Sequence, residues 1–221
     1  MRPLRRSFVH RRLVAAGAQL VPFRDALAAA GYGDLDAERE ALGRLALADL
    51  SPLPRAGFKG SGTVEWLEAE GVPLPATNHA KRASGELVVR LGSREVLVLS
   101  QSEGPGLADR LRAAWPTSTA GPRGYPVPRQ DSHFWFLLKG EHAPACLAKL
   151  SAVDLRPHRF AELVVAQTQA MRLSVIIISY AGLPPAFHLL GDSASAEYAW
   201  DCLVDAMREF AGRLVGLTSL S

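Results

Sequence analysis

Cysteine is scarce in this sequence, and its scarcity excludes several kinds of site. Cys146 and Cys202 are the only two cysteines among 221 residues, and neither belongs to a C-x-x-C pair. Two thiols alone cannot form a four-ligand zinc or iron–sulfur site. Both cysteines lie in apolar helical patterns, so we expect two buried free thiols, with a disulfide between them as the alternative.

Long hydrophobic runs are also missing, although 48% of the residues are hydrophobic. No run approaches the roughly 18 residues that a membrane-spanning helix needs. The string Arg5-Arg6-Ser7-Phe8 resembles a twin-arginine export signal. However, Arg11 and Arg12 follow at once, and no clear hydrophobic region ends in a convincing cleavage site. We therefore expect a basic first helix of a cytoplasmic protein.

Charge is modest in amount and uneven in position. The chain has 25 basic and 22 acidic residues, for a net charge of +3. The first twelve residues contain no acid and hold the arginines Arg2, Arg5, Arg6, Arg11 and Arg12, so the remaining body is slightly acidic. A nucleic-acid-binding protein carries its positive charge across a docking face. This distribution therefore argues against nucleic acid as a partner.

Residues 1–48 are predicted to form a helical N-terminal arm. Asp36 is the predicted N-cap of one helix, and Leu45 falls on its apolar face. Gly31 and Gly33 separate this helix from an alanine-rich helix before it.

Two strand-to-helix steps in different parts of the chain indicate an internal repeat. Phe58-Lys59-Gly60 aligns with Leu138-Lys139-Gly140, and in each copy an apolar strand ends at Lys-Gly before a short amphipathic helix. The glycine-rich stretch around Gly60 is not a phosphate loop, because its lysine precedes its glycine and the order G-x-x-x-x-G-K-[ST] is missing. What both copies keep is one glycine for a tight turn.

A second pair of matches supports the repeat. Val96–Leu99 followed by Ser102 aligns with Phe187–Leu190 followed by Ser193, and each copy reads as a strand, a loop and a helix. The second copy also holds the two β-rich runs of "ELVVAQTQAMRLSVIIIS", which are typical of a hairpin. Each repeat therefore reads as β-α-β-β-α or close to it, the order of a split βαβ unit.

The predicted fold class is α+β, with duplicated split-βαβ (ferredoxin-like) lobes. The predicted segments are the helical arm over 1–48, a first α+β repeat over 49–115, a Pro/Gly-rich linker over 116–130, a second repeat over 131–213 and a tail over 214–221. The linker is predicted because its proline rings remove backbone donors and forbid helix.

The sequence pattern contains no self-sufficient catalytic or metal site. Asp131-Ser132-His133 has the residue types of a hydrolase triad, but neighbouring residues on a strand point to opposite faces and cannot converge. Asp201, Asp205 and Glu209 follow helical spacing and are expected to form a solvated face. We therefore predict no catalytic residue and no metal ligand.

Several stretches resemble a known family. His10, Val21-Pro22-Phe23, Tyr32, Asp49-Leu50-Ser51 and the segment from Ser179 to Leu203 are similar to the glycine-cleavage T-protein, the folate-dependent aminomethyltransferase. The stretches "LSPLPRAGFKG", "RLGSREVLVLS" and "VDLRPHRFAELVVAQT" resemble the gamma subunit of heterotetrameric sarcosine oxidase, a shorter relative with the same folate-domain fold.

This resemblance implies a gamma-type, non-catalytic subunit of a complex that oxidises an N-methyl amino acid. Alpha and beta flavoprotein subunits would then be the partners. FAD, FMN and NAD would sit on those partners, and the one-carbon product would pass to tetrahydrofolate.

The family's folate-holding acids are largely absent. T-proteins use an acidic pair after the first lobe's hairpin, whereas only Glu86 stands in the corresponding segment here. The family's Tyr-Thr-Gly-Glu becomes Tyr180-Ala181-Gly182-Leu183, so leucine replaces a carboxylate. A pterin donor buried against leucine would lose about 1–3 kcal/mol per unpaired group.

Two alternatives to the subunit hypothesis therefore remain open. One is a stand-alone tetrahydrofolate-binding aminomethyltransferase, in which Tyr180 and Gly182 would contact the pterin and Glu86 would be the nearby acid. The other is a structural or regulatory folate-domain protein with an unknown partner.

Overall fold

The computed structural model describes residues 3–83, 85–101, 103–115, 123–180 and 182–221. Predictions that fall on Arg2, Ser102, Ala181 and residues 116–122 lie outside this part of the chain. The fold divides into two compact units. The terminal unit comprises Met1–Pro52, His133–Glu162 and Gln167–Ser221, and the central unit comprises Leu53–Ser132 and Leu163–Ala166.

Helices separate groups of one to three strands along the described residues. In order they are α1 (His10–Ala15), β1 (Gln19–Phe23), β2 (Ala26–Gly31), α2 (Leu35–Arg44), β3 (Ala46–Asp49), β4 (Arg55–Lys59), α3 (Thr63–Ala69), β5 (His79–Ala83), β6 (Glu86–Gly92), β7 (Glu95–Leu99), α4 (Leu107–Ala114), β8 (Tyr125–Val127), α5 (Arg129–Ser132), β9 (His133–Lys139), α6 (Ala143–Ala148), β10 (Val165–Ala170), β11 (Leu173–Tyr180), β12 (Ala186–Asp192), α7 (Ala196–Met207) and β13 (Arg213–Leu214). The predicted α+β class is confirmed.

The terminal unit is built on a sheet with the strand order β10-β11-β12-β9-β3-β13. Strands β9, β11 and β12 pair antiparallel and are apolar over most of their length, because both faces of this part of the sheet are buried. Helix α7 packs an apolar stripe on the sheet, and the Trp200 ring meets Phe136 edge-on with 5.1 Å between centroids.

The predicted hairpin in the second copy is confirmed. Strands β10 and β11 are neighbours in the sheet, and Met171 and Arg172 form the turn between them. Both turn residues have positive φ, +54° and +59°, as a two-residue turn between right-twisted strands requires.

The central unit is built on a second sheet with the order β5-β6-β7-β4-β8. Its core joins Phe58 of β4 to Trp66 of α3 and Trp115, which follows α4. The three rings lie in mutual contact, with centroids 4.6–5.3 Å apart, so α3 and α4 are fixed against the sheet.

Both strand–Lys-Gly–helix steps are present as predicted. Strand β4 ends at Lys59 before α3, and β9 ends at Lys139 before α6. Gly60 and Gly140 have φ of +136° and +134°, in the region that favours glycine. A Cβ at Gly60 would lie 2.4 Å from the oxygen of Arg123, so the turn also requires close backbone approach. Each of the two segments predicted to be repeats contains one strand more than the predicted β-α-β-β-α order.

The prediction of a helical arm over residues 1–48 was wrong. Strands β1 and β2 form an antiparallel hairpin in the alanine-rich stretch, with Val21 opposite Ala28. Ala26 and Ala28 are fully buried, so packing of small side chains against the core overrides the helix propensity of alanine. Strand β3 then joins the sheet of the terminal unit beside β9, so this segment is not a separate arm.

The start of α2 also differs from the prediction. The N-cap is Asp34, whose Oδ1 accepts a hydrogen bond from the backbone N of Ala37 at 3.0 Å. Asp36 lies in the first helical turn instead, where a carboxylate is favourable beside the positive end of the helix dipole.

Part of the predicted linker and the predicted tail belong to the fold. Strand β8 pairs with β4, and Pro126 lies opposite Phe58. Proline is tolerated there because β8 is the edge strand of its sheet. At the C-terminus, the backbone N of Gly216 donates to buried Glu38 at 2.8 Å, and Ser219 is buried.

Candidate functional site

Tyr180 and Gly182 line one small pocket beside the end of β11, in the terminal unit. Its volume is about 100 Å³. The structure therefore brings together two of the three predicted site residues. The walls are mainly apolar and include Leu155, Pro157, Phe160 and Phe187.

A carboxylate that sequence reasoning did not single out also lines this pocket. Glu162 precedes β10, and its Oε1 accepts a hydrogen bond from the backbone N of Gly182 at 3.1 Å. The β10–β11 hairpin brings the two residues together, although they are far apart in the sequence. The segment "FAELV" gives no local signal that Glu162 will contact Gly182, because this contact depends on how the hairpin strands pair.

Tyr180 rests on a buried imidazole. His188 of β12 lies edge-on to the Tyr180 ring, with 5.1 Å between centroids. The Nδ1 atom of His188 accepts a hydrogen bond from Trp135 Nε1 at 3.0 Å. Burial lowers the pKa of His188 to about 3, because the interior disfavours the imidazolium. The ring beneath Tyr180 is therefore neutral near pH 7.

Glu86, the third predicted site residue, belongs to the central unit. Its carboxylate is buried and accepts hydrogen bonds from Ser100 Oγ at 2.8 Å and from the backbone N of Leu107 and Ala108 at 2.8 and 3.1 Å. These two N–H groups belong to the first turn of α4 and have no partner within the helix. Glu86 is thus a helix cap, and its acceptor oxygens are engaged by the fold.

Removing this cap should destabilise the central unit. We expect Glu86→Ala to lower the free energy of unfolding by about 2–4 kcal/mol, since two helix N–H groups and the buried Ser100 hydroxyl would lose their acceptor. Glu86→Gln keeps one acceptor oxygen and should cost less. Urea denaturation followed by tryptophan fluorescence measures both values, and equal stability of Glu86→Ala and the parent would contradict the capping role.

A wider cleft of about 590 Å³ adjoins the same helix start. Glu86, Gly106, Leu107, Asp109 and Arg110 are among its lining residues. Asp109 accepts from the backbone N of Gly106 at 3.1 Å, and Arg110 pairs with Glu70 at 3.1 Å. Glu86 and Asp109 therefore already accept from the backbone N–H groups at the helix start that could otherwise bind an anion.

The remaining candidate groups are structural. Cys146 and Cys202 are both free thiols, as predicted, but only Cys146 is buried, whereas Cys202 is partly exposed. Burial raises the pKa of Cys146 to about 11. Asp201 of α7 is exposed and pairs with Arg12 at 2.6 Å. Glu209 lies in the short 3-10 helix Arg208–Phe210 after α7, where it is exposed and pairs with Lys149 at 2.9 Å. In the described ranges, no three His, Cys, Asp or Glu side chains are grouped so as to hold a metal ion. A search of the same ranges finds no helix with the length and hydropathy of a membrane span.

Two solved protein structures have a fold similar to that of this chain. A chain of heterotetrameric sarcosine oxidase from Corynebacterium sp. U-96, in complex with pyrrole 2-carboxylate, is similar over 94% of this chain and 97% of that chain, with a TM-score of 0.67 and 24% identity. The glycine cleavage system aminomethyltransferase T from Bartonella henselae is similar over 98% of this chain and 60% of that chain, with a TM-score of 0.75 and 15% identity. This chain has their fold.

The expected resemblance to these two proteins is therefore confirmed at the level of the fold. Identities this low carry no residue roles and no activity. No protein-family model matches the chain, and no curated protein matches it. The ferredoxin-like duplication and the roles of the pocket residues remain predictions.

Proposed function

We propose that this chain is a gamma-type, non-catalytic subunit of a heterotetrameric, sarcosine-oxidase-like complex. The observation that carries the proposal is the nearly end-to-end likeness to one chain of such an enzyme, 94% of this chain and 97% of that one. Alpha and beta flavoprotein subunits would bind FAD, FMN and NAD in the cytoplasm. The complex would oxidise an N-methyl amino acid and pass its one-carbon product to tetrahydrofolate.

The chemistry of the described residues supports a subunit without its own active site. The buried carboxylate of Glu86 already accepts hydrogen bonds from the backbone N–H groups at the start of α4. The pocket at Tyr180 measures about 100 Å³, whereas pockets for drug-sized ligands span about 300–1,000 Å³. The pocket as it stands does not enclose a pterin with its attached chain. The wider cleft of about 590 Å³ beside Glu86 has the space, but its buried carboxylate already accepts from the start of α4. Neither of these two pockets therefore offers a pterin both space and a free buried acid, which favours assembly with other subunits as the role of the chain.

A ferredoxin-like duplication is part of the same proposal. In the terminal unit β9 lies between β12 and β3, and in the central unit β4 lies between β7 and β8. Each of these strands ends at Lys-Gly before a short helix. The shared arrangement supports two copies of one ancestral lobe.

Purification from the native host tests the subunit role directly. A tagged copy of the chain should co-purify with two flavoprotein subunits in equal amounts, identified by mass spectrometry and by released flavin. A strain that carries the tag alone is the control. Recovery of the chain without any flavoprotein would overturn the proposal.

The second candidate is a stand-alone tetrahydrofolate-binding protein. The convergence of Tyr180, Gly182 and Glu162 at one pocket favours it, although the small volume argues against it. Titration calorimetry should then give a dissociation constant for tetrahydrofolate below about 1 mM, and Glu162→Gln should weaken it about tenfold through loss of a charge-assisted hydrogen bond. Glu141→Gln changes an exposed carboxylate outside the pocket and is the control. Binding weaker than this threshold ends the second candidate.

A further inference from the structure

Leu183 is the most exposed of the large hydrophobic side chains in the described residues, with 93% of its surface accessible. Single exposed apolar residues are ordinary on protein surfaces. Leu183 differs because it stands on the rim of the pocket that Tyr180 and Gly182 line. Together the pocket and the exposed side chain on its rim form a contiguous apolar surface, and such surfaces mark interaction sites.

The floor of the pocket is apolar and well buried. Leu155, Phe160 and Phe187 expose 3%, 8% and 2% of their surface, and the two phenylalanine rings lie 6.4 Å apart. The volume of about 100 Å³ exceeds the space of one water many times over. It is smaller than the pockets of drug-sized ligands, and it suits a single inserted side chain.

The rim of the pocket carries one uncompensated negative charge. Glu162 is exposed, and in the part of the chain that the structure describes its hydrogen-bond partner is the backbone N of Gly182, with no ion pair to a basic side chain. Arg156 is close by in sequence, but its guanidinium pairs with Asp154 at 2.6 Å. A cation from another molecule therefore meets a carboxylate that is not already neutralised.

We propose that this pocket receives an arginine side chain from a flavoprotein partner subunit, an inference that rests on the subunit role proposed above. The aliphatic stem of the arginine lies against Phe160 and Phe187, and its guanidinium binds Glu162. Leu183 covers the inserted side chain and packs on the partner's surface. Arginine fits better than lysine because its planar, weakly hydrated head both stacks on aromatic rings and binds a carboxylate through two N–H groups. Arginine is one of the residue types enriched among the few side chains that contribute most of the binding energy of protein interfaces.

Binding of the purified chain to the purified alpha–beta flavoprotein assembly tests this inference. Biolayer interferometry should show about tenfold weaker binding for Glu162→Gln and again for Leu183→Ser. The matched controls are Glu141→Gln and Val14→Ser, which change an exposed carboxylate and an exposed apolar residue outside the pocket and should bind as the parent does. Added salt should weaken the parent more than Glu162→Gln, because the charge pair is missing in the variant. Unchanged circular dichroism and Tm show that each variant is folded.

The outcomes separate this inference from the subunit role. If the parent chain does not bind the flavoprotein assembly, the proposed function itself fails. If the parent binds and both pocket variants bind as tightly as the parent, the subunit role stands and the arginine site is overturned. A concentration-dependent dimer of the chain alone that Leu183→Ser abolishes would assign the surface to a second copy. Tetrahydrofolate binding that both variants lose, with assembly intact, would assign the pocket to the folate. Either of these last two results overturns the inference.

Discussion

Replacing Arg55 with methionine should lower the free energy of unfolding of the central unit by about 3–5 kcal/mol. Arg55 opens β4 and exposes 1% of its surface. Its guanidinium donates to the backbone oxygens of Arg129 at 3.0 Å, Gln130 at 3.1 Å and Leu53 at 3.2 Å. The bonds to Arg129 and Gln130 connect α5 to β4, the first strand of this sheet along the chain. Methionine fills similar space but offers no donor, so one buried and two partly buried carbonyls lose their partners, at up to about 1–3 kcal/mol each.

Arg55→Lys separates charge from geometry in the same site. Lysine keeps the positive charge, but its single ammonium cannot match the planar set of five donors that serves three carbonyls. We expect a loss intermediate between the parent and Arg55→Met. Urea denaturation with tryptophan fluorescence gives both values, since Trp66 and Trp115 report on this unit. A cost below about 1 kcal/mol for Arg55→Met would contradict the argument.

The second large effect is a loss of stability in mild acid. The pKa of His188 is about 3 in the folded chain because its ring is buried, while an imidazole in the unfolded chain has a pKa of about 6.5. Below pH 6.5 the unfolded chain therefore binds a proton that the folded chain excludes. The contribution of this residue is complete above pH 6.5, and it falls by about 1.4 kcal/mol per pH unit down to about pH 3.

A variant that cannot titrate isolates this effect. His188→Gln retains an acceptor for Trp135 Nε1, which donates to the ring in the parent. Its free energy of unfolding should fall less steeply than that of the parent between pH 6.5 and pH 4, in urea titrations at each pH. His142→Gln is the control, since that imidazole is 39% exposed and stacks on Phe210 at the surface. Parallel profiles for the parent and His188→Gln would show that His188 does not carry the acid sensitivity.

Local chemistry accounts for the features that were predicted correctly. Gly60 and Gly140 follow Lys at the end of apolar strands, and a tight turn to a helix needs positive φ within one or two residues of that point. The hairpin around Met171 follows from two adjacent β-rich runs, and the buried free thiol of Cys146 follows from its apolar surroundings. In each case the information lies within a few residues of the feature.

The misassigned features depend on contacts between distant segments. Alanine favours helix, yet Ala26 and Ala28 are fully buried in a paired strand, because packing against distant parts of the chain outweighs this propensity. Pro126 reads as a linker residue, yet it lies in an edge strand where a missing N–H costs nothing. Neither preference is visible without the neighbouring element.

The sequence by itself determined the α+β class, the two Lys-Gly turns and the β10–β11 hairpin. Each of these follows from residue chemistry over short distances, where backbone geometry and side-chain type suffice. Only the tertiary structure decided that Glu86 caps a helix, that Arg55 holds three carbonyls, and that Glu162 meets Gly182 at the pocket. A carboxylate or guanidinium has the same intrinsic chemistry in a cap, a core or a binding site, and its role is set by the donors and acceptors that folding brings within about 3 Å of it.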